Sequence, residues 1–268
     1  MTSAPTLDLP AVKARQQATW ASGDFAEIAT LIVPVAERLC DAADLRAGST
    51  VLDVACGSGN AALAAARLGC DVTGIDYVPA LLERGRERAA AERIRLELRH
   101  GDAEEIPFPD ESFDAALSVF GSMFAPDQPR AAAELVRVTR PGGTIALASW
   151  TPEGFLGSMF RTVAAHVPPP SGLASPMLWG TREPLAELFG PDVTWGHRVR
   201  TFTFRFTSAR AFVDRFTAYY GPTLKALEAA GDTLARDLHD LVLSWNRLEQ
   251  PGPIAVPGTY LESIGVRG

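Results

Sequence analysis

Three aspartates, Asp53, Asp76 and Asp102, stand where a carboxylate is well placed to bind a ligand. Asp53 lies in the apolar run VLDVA (51–55), and the turn CGSG (56–59) follows it; the other two aspartates come at or just after the next two apolar runs. A glycine turn lets backbone amides approach a ligand, and an acid after the next strand is spaced to bind a ribose diol. The pattern predicts a nucleoside site, with a tight turn beside solvated acids as the alternative.

Short apolar runs that alternate with helical patterns predict the elements that position these aspartates. Strands are expected at 51–55, 71–75, 96–99, 113–119, 144–150, 193–206 and 259–266. Helices are expected at 24–43, 60–68, 79–92, 128–139, 154–166, 182–189, 208–219 and 222–247. Because the first five strands alternate with helices and lack hairpin signals, we expect an α/β fold whose mostly parallel sheet has helices on both faces.

The loosening of this alternation after residue 150 suggests a division of the chain into four parts. Residues 1–44 are expected to form an N-terminal helical arm that begins with a frayed segment, 1–10. Residues 45–207 form the core, 208–250 a helical lid inserted before the last strand, and 251–268 that final strand of the core. Insertions at the ligand edge are where α/β enzymes vary their substrates.

A nicotinamide-dependent dehydrogenase is a rival interpretation, because Gly57-x-Gly59-x-x-Ala62 also fits the dinucleotide pattern. Asp53 disfavours it, since a carboxylate there repels a pyrophosphate and attracts an ammonium group. The chain also lacks a Tyr-x-x-x-Lys pair, because neither Lys13 nor Lys225 follows a tyrosine at that spacing.

Five motifs in a fixed order identify a family that the chain resembles. They are Asp53-x-x-x-Gly57-x-Gly59, Val72-Thr73-Gly74-Ile75-Asp76, Gly101-Asp102-Ala103-Glu104, Phe113-Asp114 and Arg140-Pro141-Gly142-Gly143. This order over about residues 45–155 resembles the class I S-adenosylmethionine-dependent methyltransferases, in particular the ubiquinone/menaquinone C-methyltransferases and their small-molecule relatives. The resemblance implies a Rossmann-like seven-stranded sheet, S-adenosylmethionine as cofactor, and methyl transfer to oxygen, nitrogen or carbon of a small organic acceptor.

The resemblance also implies roles for individual residues around the cofactor. By this resemblance, Asp53, Gly57 and Gly59 hold the amino-acid end of the cofactor, and Ala55 stands in place of the family's first glycine. Asp76 binds the ribose, and Tyr77 packs beside the ribose and adenine. Gly101, Asp102 and Ala103 contact the adenine edge, and Ser118 faces the methionine part. Trp20 and Asp24 belong to a segment that closes the amino-acid end in similar proteins. An N-cap at Asp24 with Trp20 and Phe25 as a hydrophobic staple is the alternative for that segment.

The acceptor is expected between strands four and five and the segment after residue 150. Its candidate contacts are Met123, Trp150, Tyr219 and Tyr220. O- or N-methylation must also release a proton, and His166, which ends the helix after strand five, is the candidate general base. The alternatives are that His166 only caps that helix or that an acidic acceptor needs no base.

The charge of the chain and the spacing of its histidines argue against two other kinds of protein. The 25 basic and 32 acidic residues give a net charge of −7, which disfavours nucleic acid as a partner and thus a nucleic-acid methyltransferase. The histidines, His100, His166, His197 and His239, lack metal-ligand spacing, so no metal is expected. A protein of this fold that binds S-adenosylmethionine without turnover, as a partner or regulatory subunit, remains an alternative.

Three cysteines without a CxxC pair indicate a reducing compartment rather than a disulfide framework. The first twelve residues contain no Lys or Arg, and no apolar block typical of a signal peptide follows them. No apolar run reaches the roughly 18 residues that a membrane-spanning helix needs. These features predict a cytoplasmic protein.

Overall fold

One sheet of seven strands runs through the computed structural model, which describes residues 7–268. The strands are β1 (Thr50–Val54), β2 (Asp71–Asp76), β3 (Glu97–His100), β4 (Phe113–Val119), β5 (Thr139–Trp150), β6 (Val193–Phe206) and β7 (Ile254–Arg267). Their order is β3-β2-β1-β4-β5-β7-β6. Only β7 runs antiparallel to its neighbours, β5 and β6. The expected Rossmann-like, mostly parallel sheet is confirmed.

Eleven α-helices accompany these strands within the described residues. They are α1 (Leu9–Trp20), α2 (Phe25–Ala29), α3 (Val33–Ala42), α4 (Asn60–Arg67), α5 (Pro79–Glu92), α6 (Gln128–Val138), α7 (Phe155–His166), α8 (Arg182–Phe189), α9 (Ala209–Tyr219), α10 (Gly221–Ala230) and α11 (Asp232–Trp245). The sheet extends in one direction from β1 to β3 and in the other from β4 to β5. Right-handed crossovers therefore place α4 and α5 on the face opposite α6.

Burial along the strands follows from helices that cover both faces. In β1 every residue except Thr50 is buried, which is typical of a central strand in a parallel sheet. On α6, the side chains of Ala131, Ala132, Leu135 and Val138 are buried at helical spacing. The sheet and its helices thus form one continuous apolar core.

Three sequence-based expectations about helices are wrong. The helix expected over 24–43 is interrupted by a 3₁₀ turn, Thr30–Ile32, and a new helix starts at Val33. Pro34 lies in the first turn of that helix, where a missing N–H costs little. The helix expected over 222–247 divides at Gly231, whose φ of +67° cannot continue a right-handed helix.

The third correction concerns the arm expected to be frayed over residues 1–10. Residues 1–6 lie outside the described part of the chain, but Leu9 and Pro10 form the first turn of α1. Asp8 caps this helix by accepting a hydrogen bond from the N–H of Ala11 at 3.0 Å. The capping signal was therefore present in the sequence.

Reversal of the strand order at β1 and β4 creates the point at which open α/β sheets bind their ligands. The loops that follow β1, β2 and β4 meet at this edge. The Cβ atom of an alanine at Gly121, after β4, would lie only 2.5 Å from the carbonyl oxygen of Ala55, after β1. Glycine at position 121 is thus what allows these two loops to touch.

Candidate functional site

A cavity of about 930 Å³ opens at the carboxyl ends of β1, β2 and β4; we name it the main cavity. A concave site at the switch point of an open α/β sheet is where small molecules typically bind. Nine of the predicted cofactor residues line it, namely Trp20, Asp53, Ala55, Gly57, Asp76, Tyr77, Gly101, Asp102 and Ala103. The structure thus brings together residues as far apart in the chain as Trp20 and Ala103.

The loop after β1 forms one wall of the main cavity. Ala55 and Gly59 both have positive φ, +52° and +81°, and Gly59 is the N-cap of α4. For alanine this conformation costs on the order of 1–2 kcal/mol. The N–H of Cys56 donates to the carbonyl oxygen of Ile75 at 2.9 Å and holds the loop to β2. Backbone strain of this kind is concentrated at functional sites.

Asp53 is a nearly inaccessible carboxylate that still lines the main cavity, with an exposed fraction of 1%. Its Oδ2 accepts a hydrogen bond from the N–H of Ala62 at 2.8 Å, whereas no described residue donates one to Oδ1. Burial, together with the nearby charge of Asp76, raises the pKa of Asp53 to about 7. A cationic group in the cavity would compensate the ionised form.

Asp76 closes the same wall from the end of β2. Its Oδ2 accepts a hydrogen bond from the N–H of Gly57 at 2.8 Å, and its Oδ1 accepts one from the N–H of Val78 at 2.8 Å. Burial raises the pKa of Asp76 to about 6, and these two hydrogen bonds oppose the rise. Each carboxylate oxygen has a second lone pair, so Asp76 retains acceptor capacity for a ligand hydroxyl.

Helix α1, which was not among the helices expected from the sequence, lies against the side of the main cavity that Asp102 and Glu104 line. Lys13 Nζ forms an ion pair with Asp102 Oδ2 at 2.6 Å and a second with Glu104. Gln17 Nε2 donates a hydrogen bond to the carbonyl oxygen of Tyr77 at 2.6 Å. Lys13 is one of only two lysines in the chain, and this rarity is the signal that could have identified it.

The segment from Trp20, at the end of α1, to Phe25 was expected either to close over a cofactor or to form an N-cap with a hydrophobic staple, and it has features of both. Trp20 lines the main cavity and packs edge-on against Phe25, with ring centroids 5.5 Å apart. Asp24 Oδ1 accepts a hydrogen bond from the N–H of Ala26 at 3.2 Å, and Oδ2 pairs with Arg84 at 2.9 Å. Asp24 therefore caps α2 and lies outside the cavity lining, while Trp20 and Phe25 belong to it.

A second cavity, of about 380 Å³, adjoins the main cavity and is lined without a charged side chain; we name it the aromatic cavity. Eight aromatic and three aliphatic residues line it: Trp20, Phe25, Phe120, Phe124, Trp150, Phe204, Phe216 and Tyr220, with Ile28, Ile32 and Leu156. Five of these also line the main cavity, namely Trp20, Phe25, Ile32, Phe120 and Phe124. The two cavities thus share a wall.

Phe120 is the residue of that shared wall with an unusual backbone, since its φ is +56°. Its ring stacks on Trp150 with centroids 3.7 Å apart and an interplanar angle of 2°. A phenylalanine rarely adopts positive φ, and such a conformation persists only where the surroundings hold it. The Trp150 contact and the loop after β4 hold the Phe120 ring between the two cavities.

The structure separates the predicted acceptor residues into two groups. Trp150 and Tyr220 line the aromatic cavity. Met123 is buried to 1% exposure and Tyr219 is 40% exposed, and neither lines either cavity. Met123 packs in the core because it lies on the inner side of a 3₁₀ turn, Ser122–Phe124, whereas Tyr219 ends α9 on its solvent side.

Two predicted cofactor residues act on the framework rather than on the cavity lining. Ser118 is 2% exposed and its hydroxyl donates a hydrogen bond to the carbonyl oxygen of Val54 at 2.8 Å. Ser118 Oγ in turn accepts a hydrogen bond from the N–H of Ser122 at 2.9 Å, so Ser118 connects the end of β1 to the end of β4 and the loop that follows it. Gly59 starts α4 and is not part of the lining.

The position of His166 does not support its assignment as a general base. It ends α7 and its Nε2 lies 2.7 Å from Asp237 Oδ2 of α11. It lines neither the main cavity nor the aromatic cavity. His166 therefore connects α7 and α11 and is not part of either lining.

Two kinds of feature are absent from residues 7–268. No group of three or more His, Cys, Asp or Glu side chains is arranged to hold a metal ion there. No helix in that range has both the length and the apolar character needed to cross a membrane.

The charges of the main cavity suit a cationic nucleoside. Four acidic residues line it, Asp53, Asp76, Asp102 and Glu104, against the single cation Lys13. An acidic lining repels a dinucleotide pyrophosphate and attracts a ligand with a sulfonium and an ammonium group. The unpartnered Asp53 Oδ1 and the open β1 loop fit the amino-acid end of such a ligand. Fold and site together define a Rossmann-like methyltransferase.

Comparison with known proteins gives the same class. A family model described as a methyltransferase domain matches residues 52–147. A protein of Mycobacterium tuberculosis described as uncharacterized is 42% identical over 236 residues, which are 85% of this chain and 86% of that protein. The demethylmenaquinone methyltransferase of Deinococcus radiodurans is 36% identical over 126 residues, 46% of this chain and 52% of that enzyme.

Among solved structures, geranyl diphosphate methyltransferase in complex with S-adenosylmethionine has the same fold, with a TM-score of 0.53 at 18% identity. The match covers 91% of this chain and 88% of that one. The chain belongs to the class I S-adenosylmethionine-dependent methyltransferases. It is an enzyme of the small-molecule type, and S-adenosylmethionine is its cofactor.

Proposed function

We propose that this enzyme transfers the methyl group of S-adenosylmethionine to oxygen, nitrogen or carbon of a small organic acceptor bound in the aromatic cavity. The observation that carries the proposal is the wall of five residues that the main and aromatic cavities share. An acidic cavity for a cationic cofactor thus adjoins an uncharged cavity for its reaction partner. The acidic lining and the net charge of −7 also support a small molecule over a nucleic acid.

The residues of the main cavity have distinct tasks in this proposal. Asp53 and the backbone of Gly57 hold the amino-acid end, and Asp76 accepts hydrogen bonds from the ribose hydroxyls. Asp102 and Ala103 bind the adenine edge, where Lys13 of α1 already pairs with the Asp102 carboxylate. Tyr77, Gly101 and the Ser118-tied ends of β1 and β4 complete the enclosure.

The transfer itself requires alignment more than acid–base chemistry. When bound, S-adenosylmethionine supplies a methyl carbon made electrophilic by an adjacent positively charged sulfur. Trp20, Phe25 and Phe124 line both cavities and form an aromatic boundary between them. Holding two reactants in line in a dry site can supply roughly 7–11 kcal/mol of the barrier reduction. Aromatic faces beside a cationic sulfur add a favourable electrostatic interaction.

The aromatic cavity offers no strong base for the proton that some acceptors lose. Tyr220 is the one titratable side chain in its lining, and burial raises the pKa of its hydroxyl well above the ordinary value. The phenol therefore stays protonated at neutral pH. We infer that the acceptor either carries no proton on its nucleophilic atom or loses that proton to water.

The test of this proposal is methyl transfer from isotopically labelled cofactor. The enzyme is incubated with methyl-labelled S-adenosylmethionine and a panel of phenols, carboxylic acids, amines and enols that are otherwise apolar. We expect label in an organic product and stoichiometric S-adenosylhomocysteine. The same panel with Trp150→Ala, which enlarges the aromatic cavity at a residue that is not part of the main cavity lining, should shift the preferred acceptor. Cofactor binding without transfer to any member of such a panel argues for the non-catalytic alternative.

A further inference from the structure

Few polar side chains line the aromatic cavity, and this limits the chemical class of acceptor that it can bind. Its lining contains three side chains with a polar atom, Trp20, Trp150 and Tyr220. The indole Nε1–H of a tryptophan can only donate a hydrogen bond. The phenol of Tyr220 is the one hydroxyl group in this lining. No carboxylate, amide, imidazole or ammonium group accompanies them. A charged acceptor group would lose its hydration here without a partner from the protein.

Tyr220 is a buried side chain whose hydroxyl has no protein partner. The residue is 7% exposed and lines the aromatic cavity. Within the described part of the chain, no hydrogen bond to Tyr220 Oη is formed, although its backbone N–H donates to the carbonyl oxygen of Phe216 at 3.1 Å. The hydroxyl oxygen is not one of the fully enclosed polar atoms that lack a partner, so it keeps accessible surface, and a ligand in the aromatic cavity can accept its hydrogen bond.

The ring of Tyr220 is held in position by aromatic neighbours. Its centroid lies 5.5 Å from that of Trp20 and 5.7 Å from that of Phe216, in edge-on contacts with both. Phe25 lies 6.1 Å away in a tilted arrangement. Such contacts fix the direction of the hydroxyl without themselves offering it an acceptor atom.

The backbone around Tyr220 is equally constrained. A Cβ atom at Gly221 would lie 2.0 Å from the carbonyl oxygen of Thr19, and one at Gly23 would lie 2.8 Å from that of Tyr219. The junction of α9 and α10 therefore packs backbone to backbone against the junction of α1 and α2. This seam holds Tyr220 beside Trp20, and Trp20 lines both cavities.

We propose that Tyr220 is a specificity-determining residue: its Oη donates a hydrogen bond to an oxygen of an otherwise apolar, uncharged acceptor in the aromatic cavity. The assignment rests on the proposed function, and it deepens that function by naming the acceptor class. Burial raises the pKa of the Tyr220 phenol, so the hydroxyl stays protonated at neutral pH and can donate a hydrogen bond. Tyr220 thereby selects between acceptors of the same shape that differ in one oxygen.

Two probes of nearly the same shape test this assignment without knowledge of the natural acceptor. They are 2-acetylnaphthalene, which has a carbonyl oxygen, and 2-ethylnaphthalene, which has none. Binding of each is measured by equilibrium dialysis, with and without saturating S-adenosylhomocysteine. We expect the wild type to bind the acetyl compound about three- to tenfold more tightly, as for one neutral hydrogen bond.

Variants at two adjacent tyrosines complete the test. Tyr220→Phe should reduce the preference to less than about twofold, by weakening binding of the acetyl compound alone. Tyr219→Phe is the matched control, because Tyr219 is 40% exposed and lines neither cavity; it should keep the full preference. Circular dichroism and thermal unfolding establish that both variants are folded.

Three results would overturn the assignment: a wild type that binds neither probe, one that binds both equally, or a preference that survives in Tyr220→Phe. Even if Tyr220→Phe fails to fold, equal binding of the two probes by the wild type overturns the assignment. Failure of the proposed function is recognised separately, because it appears as absent binding of S-adenosylhomocysteine or absent label transfer. Neither of those measurements uses the naphthalene probes.

Discussion

The backbone N–H of Gly57 donates a hydrogen bond of 2.8 Å to Asp76 Oδ2, which ties the loop after β1 to the end of β2. The second oxygen of Asp76 accepts from the N–H of Val78 and shapes the start of α5. One carboxylate thus organises two walls of the main cavity before any ligand binds. Its substitution should therefore affect both the fold and cofactor binding.

Asp76→Ala should weaken binding of S-adenosylhomocysteine at least about tenfold and also destabilise the protein. Each backbone N–H left unpaired costs about 1–3 kcal/mol, so the free energy of unfolding should fall measurably. Asp76→Asn keeps one acceptor oxygen and should separate the two effects. Calorimetry gives the affinity and urea unfolding gives the stability.

The control for Asp76 is Asp71→Asn, at the exposed start of the same strand, which should change neither quantity. Unaltered affinity in a folded Asp76→Asn protein would end the assignment of Asp76 to the ribose.

Asp53 should make the free energy of unfolding depend on pH. Burial raises its pKa in the folded state from 3.8 to about 7, so between these values the folded protein binds more protons than the unfolded chain. The stabilising contribution of Asp53 to the free energy of unfolding is then fully present below about pH 4. It is lost as the pH rises through about 7, and over this range the free energy of unfolding falls by up to about 1.4 kcal/mol per pH unit. Asp53→Asn removes this loss.

Urea unfolding of the cofactor-free enzyme at several values between about pH 4.5 and pH 7.5 measures the effect. The difference in unfolding free energy between Asp53→Asn and wild type should grow with pH in favour of the variant. Asp71→Asn supplies the comparison for removal of an exposed carboxylate. Parallel pH curves for Asp53→Asn and wild type would mean that Asp53 titrates at its ordinary value.

Lys13→Gln should accelerate cofactor release by roughly three- to fivefold, since a partly exposed ion pair stabilises by about 1 kcal/mol. The side chains of Lys13 and Asp102 are 27% and 30% exposed, and their pairing holds α1 against the Asp102 side of the main cavity. The dissociation rate of S-adenosylhomocysteine is measured by stopped-flow fluorescence.

Lys225→Gln is the matched control, because it removes the chain's other lysine together with an exposed pair to Glu228 on α10. If both variants release the ligand equally fast, the effect belongs to net charge and not to α1.

Gly121→Ala should lower the free energy of unfolding by about 1–3 kcal/mol and weaken cofactor binding. Its Cβ would lie 2.5 Å from the carbonyl oxygen and 2.7 Å from the Cβ of Ala55, and backbone atoms cannot move aside as a flexible side chain can. The displaced loop contains Ala55 and Gly57 and lines the main cavity. Gly196→Ala on β6 provides the control, as its nearest contact is 3.7 Å. An equally stable Gly121→Ala enzyme with normal affinity would contradict the close approach.

His166→Gln should leave turnover within about threefold of wild type from about pH 6 to pH 9, once the acceptor is known. His166 pairs with Asp237 and lines neither cavity, so its loss should affect the contact between α7 and α11. A general base would instead contribute about 10²–10⁴-fold. A loss of that size, together with loss of the acidic limb of the pH profile, would restore the base assignment.

Local patterns were sufficient for the sheet, the loop after β1 and most of the main cavity. Strand and helix periods depend on neighbouring residues, and an acid that follows a strand reaches the ligand edge wherever the parallel sheet places that strand. Asp53, Asp76 and Asp102 could therefore be assigned to one cavity from their spacing and their family resemblance. The break at Thr30–Ile32 was less accessible, because Pro34 permits either a kink or a new helix.

The sequence by itself thus determined the fold, the family and the acidic side of the site. Only the tertiary structure decided the aromatic cavity, where Trp20 of α1, Trp150 of β5 and Tyr220 after α9 converge. An apolar face predicts that a helix is buried but not which partner covers it. The same limit explains Met123, Tyr219 and His166, whose direction depends on packing between elements far apart in the chain. Their residue types allowed chemistry, and only the packing determined whether they reach a cavity.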